Sequence, residues 1–287
     1  MSLIRLSPHV VWMPPGPPDR PSLCAVTGER GTLMLDAGAS DAHARLFLEG
    51  LGEMGIARPR TVALTHWHWD HVFGAAEIGA PVICSALTAG ELQRLANDDW
   101  NDAALDARVE SGEEIAFCAD NLKLELPAPR HVRIQLPEMI FERLLTIELG
   151  GVTCRLQQVG GDHSADSVVI SIDPDGVLFL GDCLYDDIYA PTRHYTTAKL
   201  FPLLDKLDQI NQPQAEIIVE GHVPEVMDHA AFDSLIGRFR LIGGLANQHP
   251  GDEAAMIAAC MTISHGELSE DDAELIHAFA SAPRPKD

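Results

Sequence analysis

The residues best suited to chemistry lie in one short segment, from Thr65 to His71, with the sequence THWHWDH. Three histidines and one aspartate fall within it, and imidazole nitrogens and carboxylate oxygens are ligands that suit Zn²⁺ and iron. Because alternate side chains of an extended chain share a face, we expect His66, His68 and Asp70 to project together. A turn at the end of the segment would bring His71 to a second point nearby. The segment therefore predicts a metal site.

Three more residues of ligand type each follow a predicted strand and have glycine nearby: His163, Asp182 and His222. Glycine lets the backbone turn sharply and approach other groups closely. Strand ends at one edge of a sandwich can bring together residues that are distant in sequence. We therefore predict one composite site built from seven residues, His66, His68, Asp70, His71, His163, Asp182 and His222.

The order of these motifs resembles that of the metallo-β-lactamase superfamily. The chain carries His-x-His-x-Asp-His, then a His after a Gly-rich turn, then Gly-Asp, then Gly-His. The segment Leu35-Asp36-Ala37-Gly38 is similar to the early Asp motif of that family, whose carboxylate supports the metal ligands. The resemblance runs from about residue 32 to residue 222. It implies an α/β (α+β) fold, the four-layered αββα sandwich, here with a helical C-terminal extension.

The resemblance also implies a role for each ligand. A first metal ion would be held by His66, His68 and His163, a second by Asp70, His71 and His222, and Asp182 would bridge the two. The ions would be divalent, with zinc expected and manganese or iron as alternatives. A hydroxide bridging them would attack a carbonyl ester-type bond, since metal binding lowers the pKa of water to about 7. Asp70 would orient this hydroxide and transfer its proton.

The elements that must position these residues alternate along the chain. Residues of high β propensity bounded by turn signals predict strands at Val10–Met13, Ser22–Thr27, Thr32–Asp36, Thr61–Thr65, Pro81–Ser85, Val132–Leu136, Leu144–Leu149, Val152–Val159, Ser167–Ile172, Val177–Leu180 and Ala215–Glu220. Helical spacing of apolar residues predicts helices at Asp41–Met54, Leu87–Ala96 and Thr197–Ile210. Intermixed strands and helices are typical of two packed sheets with helices outside.

Two segments depart from this alternation. Residues 97–121 are polar and acidic with helical patches, which indicates an insertion or lid. From Pro224 the pattern is helical to the end, apart from turns near Pro250 and Gly266. We therefore expect a metallo-β-lactamase-type domain over residues 1–224 and a helical extension over residues 225–287 that packs on the same domain.

Individual residues bear on the branch of the superfamily. Asp182 argues against the β-lactamases that place Cys there, and His68 argues against flavodiiron proteins, which usually carry Glu. The set of His and Asp ligands resembles that of glyoxalase II thioesterases and acyl-homoserine lactonases. Tyr185 stands three residues after Asp182, an offset at which those lactonases carry a catalytic Tyr that contacts the substrate. Asp162, directly before His163, departs from the neutral residue usual in the family. A lactone or a thioester is therefore the expected substrate.

Composition limits the partners. Lys and Arg total 20 against 43 Asp and Glu, a net charge of −23, and such a surface repels nucleic acid and anionic membranes. We expect a small-molecule substrate, no nucleic acid and no membrane, while the apolar C-terminal helices could support a homodimer. The six cysteines form no CxxC pair, and the N-terminus lacks the pattern of an export signal. These features predict free thiols and a cytoplasmic location.

Two other hypotheses stay open at this point. One is a mononuclear iron dioxygenase that acts on persulfides, in which His66, His163 and Asp182 would form a two-His, one-carboxylate triad. The other is a ligand-binding or regulatory protein that keeps the fold and the metals but turns over little substrate. Two tightly bound zinc ions per chain, with no oxygen consumed on a persulfide, would exclude the first, and turnover of about 1 s⁻¹ or more on a physiological ester would exclude the second.

Overall fold

The computed structural model describes residues 3–212 and 214–283. Its first sheet has seven strands in the order of the chain, which are β1 (Ile4–Arg5), β2 (Val10–Met13), β3 (Leu23–Gly28), β4 (Gly31–Leu35), β5 (Thr61–Ala63), β6 (Val82–Ser85) and β7 (Met139–Phe141). The first four strands pair antiparallel, and β4 to β7 pair parallel. The segment Thr65–His71, called the ligand segment below, therefore leaves the sheet at the carboxyl end of a central parallel strand, β5.

The second sheet has five strands in the order β12-β11-β10-β9-β8. They are β8 (Leu144–Glu148), β9 (Thr153–Gln158), β10 (Val168–Asp173), β11 (Val177–Gly181) and β12 (Ile217–Glu220). Strands β8 to β11 pair antiparallel, whereas β11 and β12 pair parallel. The parallel pair places the ends of β11 and β12 side by side, so the residues that follow them, Asp182 and His222, meet at one edge.

Helices occupy the connections between the strands. They are α1 (Asp41–Glu53), α2 (Trp69–Val72), α3 (Ala75–Ile78), α4 (Ala86–Leu95), α5 (Asp102–Ser111), α6 (Ala116–Glu125), α7 (Thr197–Ile210), α8 (His229–Gln248), α9 (Glu253–Ile263) and α10 (Glu270–Ala280). Most of the longer ones begin at a side chain that accepts a hydrogen bond from a first-turn amide, as Ser40 does for α1 and Thr196 for α7. Such caps satisfy amides that the helix leaves unpaired.

Three hydrophobic clusters define the layers. Val26, Ile170 and Phe179 belong to the cluster between the two sheets. A second cluster joins the outer face of the first sheet to α1 and α4, and it includes Phe47. A third joins the second sheet to α7, α8, α9 and α10, and it includes Phe239. Because one apolar cluster lies between the sheets and one lies on each outer face, the chain forms the expected αββα sandwich.

The helical segment after β12 packs on this sandwich. Phe232, Ile236 and Ile242 of α8 are buried in the same cluster as Leu204 of α7 and Leu178 of β11. The division into a domain over residues 1–224 and an extension over residues 225–287 stays a prediction. None of the helices in the described ranges, not even the 20 residues of α8, has both the length and the apolar character that crossing a bilayer requires.

One predicted strand of the sequence analysis is wrong. The segment Val132–Leu136 is irregular backbone, because the place beside β6 is taken by β7, a few residues later. Val132 and Ile134 instead pack against the outer cluster of the first sheet. The pattern of apolar residues that suggested a strand thus reflects burial without a hydrogen-bonded partner strand.

We predict that Gly74→Ala destabilises the protein, because an added methyl group at this position would collide with the carbonyl oxygen of Ala37. The Gly74 amide also donates to the Gly38 carbonyl at 2.9 Å, so backbone would have to move. We expect the free energy of unfolding to fall by about 1–3 kcal/mol, measured by urea denaturation. Gly90→Ala, in an exposed turn of α4 with nothing within 4 Å of the new methyl group, should stabilise by about 0.5–1 kcal/mol. Equal effects of the two changes would contradict the prediction.

Candidate metal centre

The ligand segment changes conformation in its middle. After β5 the chain continues through a short loop that carries His66 and His68, and α2 begins at Trp69. The expectation that Asp70 shares an extended face with His66 and His68 is therefore wrong, because Asp70 lies in a helical turn. The turn directs Asp70 and His71 to a second point.

The seven predicted side chains form two groups in the structure. Within each group, one potential ligand atom from every residue lies within 4.8 Å of the others. The first group is His66, His68 and His163, and the second is Asp70, His71, Asp182 and His222. Two His/Asp groups of this kind fit a dinuclear metal site, and the division is the one that the family resemblance implies. The role of each residue as a ligand stays a prediction.

The carboxylate of Asp182, a member of the second group, also faces the first group. Its Oδ2 is 3.9 Å from Nε2 of His66 and 3.4 Å from Nε2 of His163. The same oxygen is 3.3 Å from Nε2 of His71 and 3.4 Å from Nε2 of His222. One carboxylate oxygen therefore faces two imidazoles of each group, which is the position that a bridging ligand would need.

Several buried polar atoms of this cluster have no hydrogen-bond partner in the described chain. They are Nε2 of His66, Nε2 of His71, Nε2 of His163 and Oδ1 of Asp182. Leaving a buried polar atom unsatisfied costs about 1–3 kcal/mol, and four of them at one point indicate a missing partner. Imidazole and carboxylate donors at these atoms suit a divalent cation, so the residues fit the predicted metal ions.

The outer ring nitrogens of the histidines are held by neighbouring groups. Nδ1 of His71 lies 2.8 Å from Oδ2 of Asp36, which also accepts a hydrogen bond from the hydroxyl of Thr65. Thr65 Oγ1 lies 3.0 Å from Nδ1 of His66, and Nδ1 of His163 lies 3.3 Å from the carbonyl oxygen of Asp186. A partner at Nδ1 fixes the tautomer and directs Nε2 inward.

Asp19 gives His222 a similar neighbour, since its Oδ1 lies 3.4 Å from Nδ1 of that ring. Asp19 belongs to the loop between β2 and β3, which is held in place by the next residue. Arg20 donates to both carboxylate oxygens of the buried Glu125, and the hydroxyl of Ser40 donates to the same carboxylate. The loop is thereby tied to the ends of α6 and α1.

The charges of the cluster compensate one another. Burial by itself would raise the pKa of Asp182, but His71 and His222 outweigh it and hold that pKa well below its usual range. Burial would lower the pKa of His222, but Asp182 and Asp70 outweigh it and raise it to about 10. Burial and the neighbouring imidazoles lower the pKa of His66. The carboxylates therefore stabilise positive charge at this point, which is the charge that a divalent cation supplies.

Backbone geometry beside the cluster requires glycine at Gly221. An added methyl group there would overlap Oδ1 of Asp182, and the Gly221 amide donates to the Gly181 carbonyl at 3.0 Å. The close approach explains the glycine that precedes His222. It also explains how the ends of β11 and β12 bring Asp182 and His222 together.

A cavity of about 470 Å³ opens on the cluster. Its floor includes Asp70 and Asp182, and its walls are largely apolar, formed by Ile115, Phe117, Cys118, Ile188 and Val223. The walls from Ile115 to Cys118 come from the start of α6 and the residues just before it, so part of the predicted insertion lines the cavity. A larger cavity of about 690 Å³ borders β10, β11 and the end of α7, but none of the seven predicted residues lines it.

Tyr185 lies at this cavity, as its offset from Asp182 predicts. Its hydroxyl oxygen accepts a hydrogen bond from the backbone amide of His222 at 3.1 Å. Burial and the charge of Asp182 raise the pKa of Tyr185 well above its usual value, so the hydroxyl keeps its proton. That proton is free to be donated into the cavity, and the catalytic role of Tyr185 stays a prediction.

Asp162, which departs from the family pattern, has a structural role. Asp162 accepts hydrogen bonds from the amide and hydroxyl of Thr196, the residue that caps α7. Cys183 is buried and does not line the cavity, and the six cysteines are free. Arg238 and Arg240 form ion pairs on the helical face.

Two residues that line the cavity were not predicted from the sequence. Asp19 and Arg193 both line the cavity, yet neither belongs to a motif, and each stands in an irregular loop. The only signal was the position of Arg193 between Asp182 and α7, in the loop that also carries Tyr185.

The comparisons with known proteins agree with this geometry. A family model described as the metallo-beta-lactamase superfamily matches residues 18–246. A metallo-beta-lactamase type 2 from Bacteroides fragilis is 24% identical over 192 residues, which are 66% of this chain and 63% of that relative. This chain therefore spans less than two thirds of the length of that relative.

Solved structures show the same fold. A metallo-beta-lactamase from Pontibacter korlensis matches with a TM-score of 0.54 and 20% identity, over 82% of this chain and 97% of that one. A metallo-beta-lactamase family protein from Thermus thermophilus matches with a TM-score of 0.58 and 18% identity, over 85% of this chain and 84% of that one. Since the family model covers most of the chain and the two His/Asp groups lie where its strands end, the protein belongs to the metallo-β-lactamase superfamily.

Proposed function

We propose that the protein is a binuclear metal-dependent hydrolase that cleaves a carbonyl ester-type bond, with a lactone or a thioester as the substrate. Superfamily membership and the His/Asp site indicate a metal-dependent hydrolase at the coarser level. The observation that carries the finer proposal is the position of Asp182, whose Oδ2 faces imidazoles of both groups within 3.3–3.9 Å. A carboxylate oxygen that faces both groups is better suited to bind two ions than to bind one.

Two divalent ions, with zinc expected, would be held by His66, His68 and His163 and by Asp70, His71 and His222, with Asp182 shared. When bound, such ions supply an activated water and polarise the scissile carbonyl. The outer partners of the histidines then matter, because Asp36 and the Asp186 carbonyl fix the orientation of His71 and His163 before any substrate arrives.

Asp70 is the residue that we propose to handle the proton of the attacking water. Its carboxylate lines the cavity, and Oδ2 lies 3.1 Å from Nε2 of His222 and 3.3 Å from Nε2 of His71. Burial would raise its pKa, but these two imidazoles outweigh burial and lower it, so the group is ionised. An ionised carboxylate beside the reacting carbonyl can accept a hydrogen bond from water and hold its proton.

Tyr185 is the residue that we propose to stabilise the substrate oxygen. Because its oxygen already accepts a hydrogen bond from the His222 amide, its own proton points to another acceptor. A carbonyl oxygen that gains negative charge, or the leaving oxygen, is such an acceptor. The apolar walls exclude water and can pack against a hydrocarbon part of the substrate.

The mononuclear dioxygenase hypothesis uses only His66, His163 and Asp182. It gives no role to Asp70, His71 and His222, which form a group of their own with Asp182, buried except for the partly exposed His222. The complete second group therefore favours the hydrolase. A regulatory protein with little turnover would share the whole site, and only kinetics distinguishes it.

We predict that protein purified without added metal contains about two divalent ions per chain by elemental analysis, because the site offers two donor groups. Removal of the ions by a chelator should abolish hydrolysis of a lactone and thioester panel, and added zinc or manganese should restore it. One iron per chain, with oxygen consumed on a persulfide and an inert panel, would instead support the dioxygenase. Two ions with turnover far below about 1 s⁻¹ on every ester would support the regulatory hypothesis.

We predict that Tyr185→Phe lowers kcat on the best substrate by about 10- to 100-fold, because it removes one donor to the developing negative charge. Metal content should not change, since the ring stays in place. The matched control is Tyr195→Phe, which removes a hydroxyl that donates to the carbonyl of Leu184 at 2.9 Å and does not line the cavity. The role of Tyr185 would be rejected if both variants kept the full kcat, or if both lost it equally.

A further inference from the structure

Arg193 and Asp186 form an ion pair in the loop between β11 and α7. Nη2 of Arg193 lies 2.7 Å, and Nε 2.9 Å, from Oδ1 of Asp186. The Arg193 side chain is 65% exposed, whereas that of Asp186 is 14% exposed. The carboxylate is thus mostly buried, and the guanidinium covers it at the surface.

The pair stands at the opening of the active-site cavity. Arg193 lines that cavity, and it also lines a neighbouring open cavity of about 480 Å³ against α10, where Glu274 and His277 are found. Asp186 borders only the second of the two. Arg193 therefore borders both spaces, and a part of the substrate that extends from the first toward the second would meet it.

The remaining charge of the cavity is negative. Among the described residues that line it, Arg193 is the one Lys or Arg, and its charge is already balanced by Asp186. In addition to the two His/Asp groups, the cavity carries the carboxylate of Asp19, which lies beside His222. Asp19 and the paired Arg193 line the same cavity as the apolar side chains of Ile115, Phe117 and Ile188. An uncharged hydrocarbon substituent can pack against the apolar side chains, whereas an anionic substituent would find no unpaired Lys or Arg among the described residues that line the cavity.

We propose that the Asp186–Arg193 pair sets the charge selectivity of the active site, so that the substrate is a carbonyl compound whose hydrocarbon part carries no carboxylate. Asp186 is the specificity-determining residue, because it neutralises the Arg193 guanidinium, which would otherwise attract an anionic group. This inference rests on the proposed hydrolase function for its substrate class. It does not depend on which metal ions are bound.

The matched probes are two γ-lactones with the same hydrocarbon side chain, one ending in a carboxamide and the other in a carboxylate of nearly the same shape. The variant is Asp186→Asn, which removes the charge and keeps the backbone carbonyl that faces His163. An exposed ion pair changes affinity modestly. We therefore expect the ratio of kcat/KM for the carboxylate over the carboxamide to rise roughly two- to fivefold.

Two control variants separate this effect from a general loss of charge. Asp186→Asn combined with Arg193→Gln should return the ratio to the wild-type value, because the gain requires the free guanidinium. Asp205→Asn removes the same charge from a surface pair with Arg240, outside the cavity, and should leave the ratio unchanged. The wild type should prefer the carboxamide.

Binding of the corresponding lactams, measured by titration calorimetry, distinguishes the two proposals. If neither these lactones nor any member of the lactone and thioester panel is cleaved but the lactams bind with the expected change of ratio, the hydrolase proposal fails and the charge selectivity stands. A wild type that prefers the carboxylate, an unchanged ratio in Asp186→Asn, or no binding of either lactam would overturn the selectivity.

Discussion

Burying the carboxylate of Asp182 among four imidazoles is the constraint on which the rest of the site depends. A buried charge is costly unless opposite charge and hydrogen bonds compensate it. The structure meets this requirement with residues from both sheets, since His71 follows β5, His163 follows β9, and His222 follows β12. The parallel pairing of β11 and β12 contributes to this compensation, because it places Asp182 and His222 at neighbouring strand ends.

The same constraint extends outward from the predicted ligands. Asp36 is wholly buried with a positive φ of 57°, a conformation that is uncommon for a residue other than glycine. Its carboxylate accepts the amide and hydroxyl of Thr65 and faces Nδ1 of His71. One strained residue at the end of β4 therefore joins the neighbouring parallel strand to the helical turn of the ligand segment.

Much of the fold could be predicted from the sequence because its core strands are continuous apolar runs with clear ends. The prediction for α7, Thr197–Ile210, agrees with the structure to the residue, since a cap precedes it and its apolar residues keep helical spacing. The local sequence pattern gave the wrong secondary structure where contacts with distant residues determine the conformation. Val132–Leu136 is buried without a partner strand, and α2 interrupts what looked like an extended segment at Asp70. A four-residue helix is too short to leave a periodic signal.

The site was predictable to a different degree in its two parts. The His and Asp cluster could be located because its members follow strands within a few residues and belong to short motifs, His-x-His-x-Asp-His, Gly-Asp and Gly-His, or follow a Gly-rich turn. The cavity walls could not, because Ile188, Arg193 and Asp19 lie in loops where no periodicity applies. Their positions depend on which helices the loops meet after folding, and this information is spread over the whole chain.

The docking of the loop after β11 onto the C-terminal helices has a wider consequence. The ring of Tyr195 packs between Phe239 of α8 and Phe279 of α10, and its amide faces the carbonyl of Ala278. The strand ends that carry the predicted ligands are held by the sandwich, whereas the loop that lines the cavity with Tyr185 and Arg193 is held by helices outside it. Changes in those helices can therefore move one wall of the cavity while the His and Asp cluster keeps its place in the sandwich. The shape of the pocket and the arrangement of the cluster are thus open to change independently of each other.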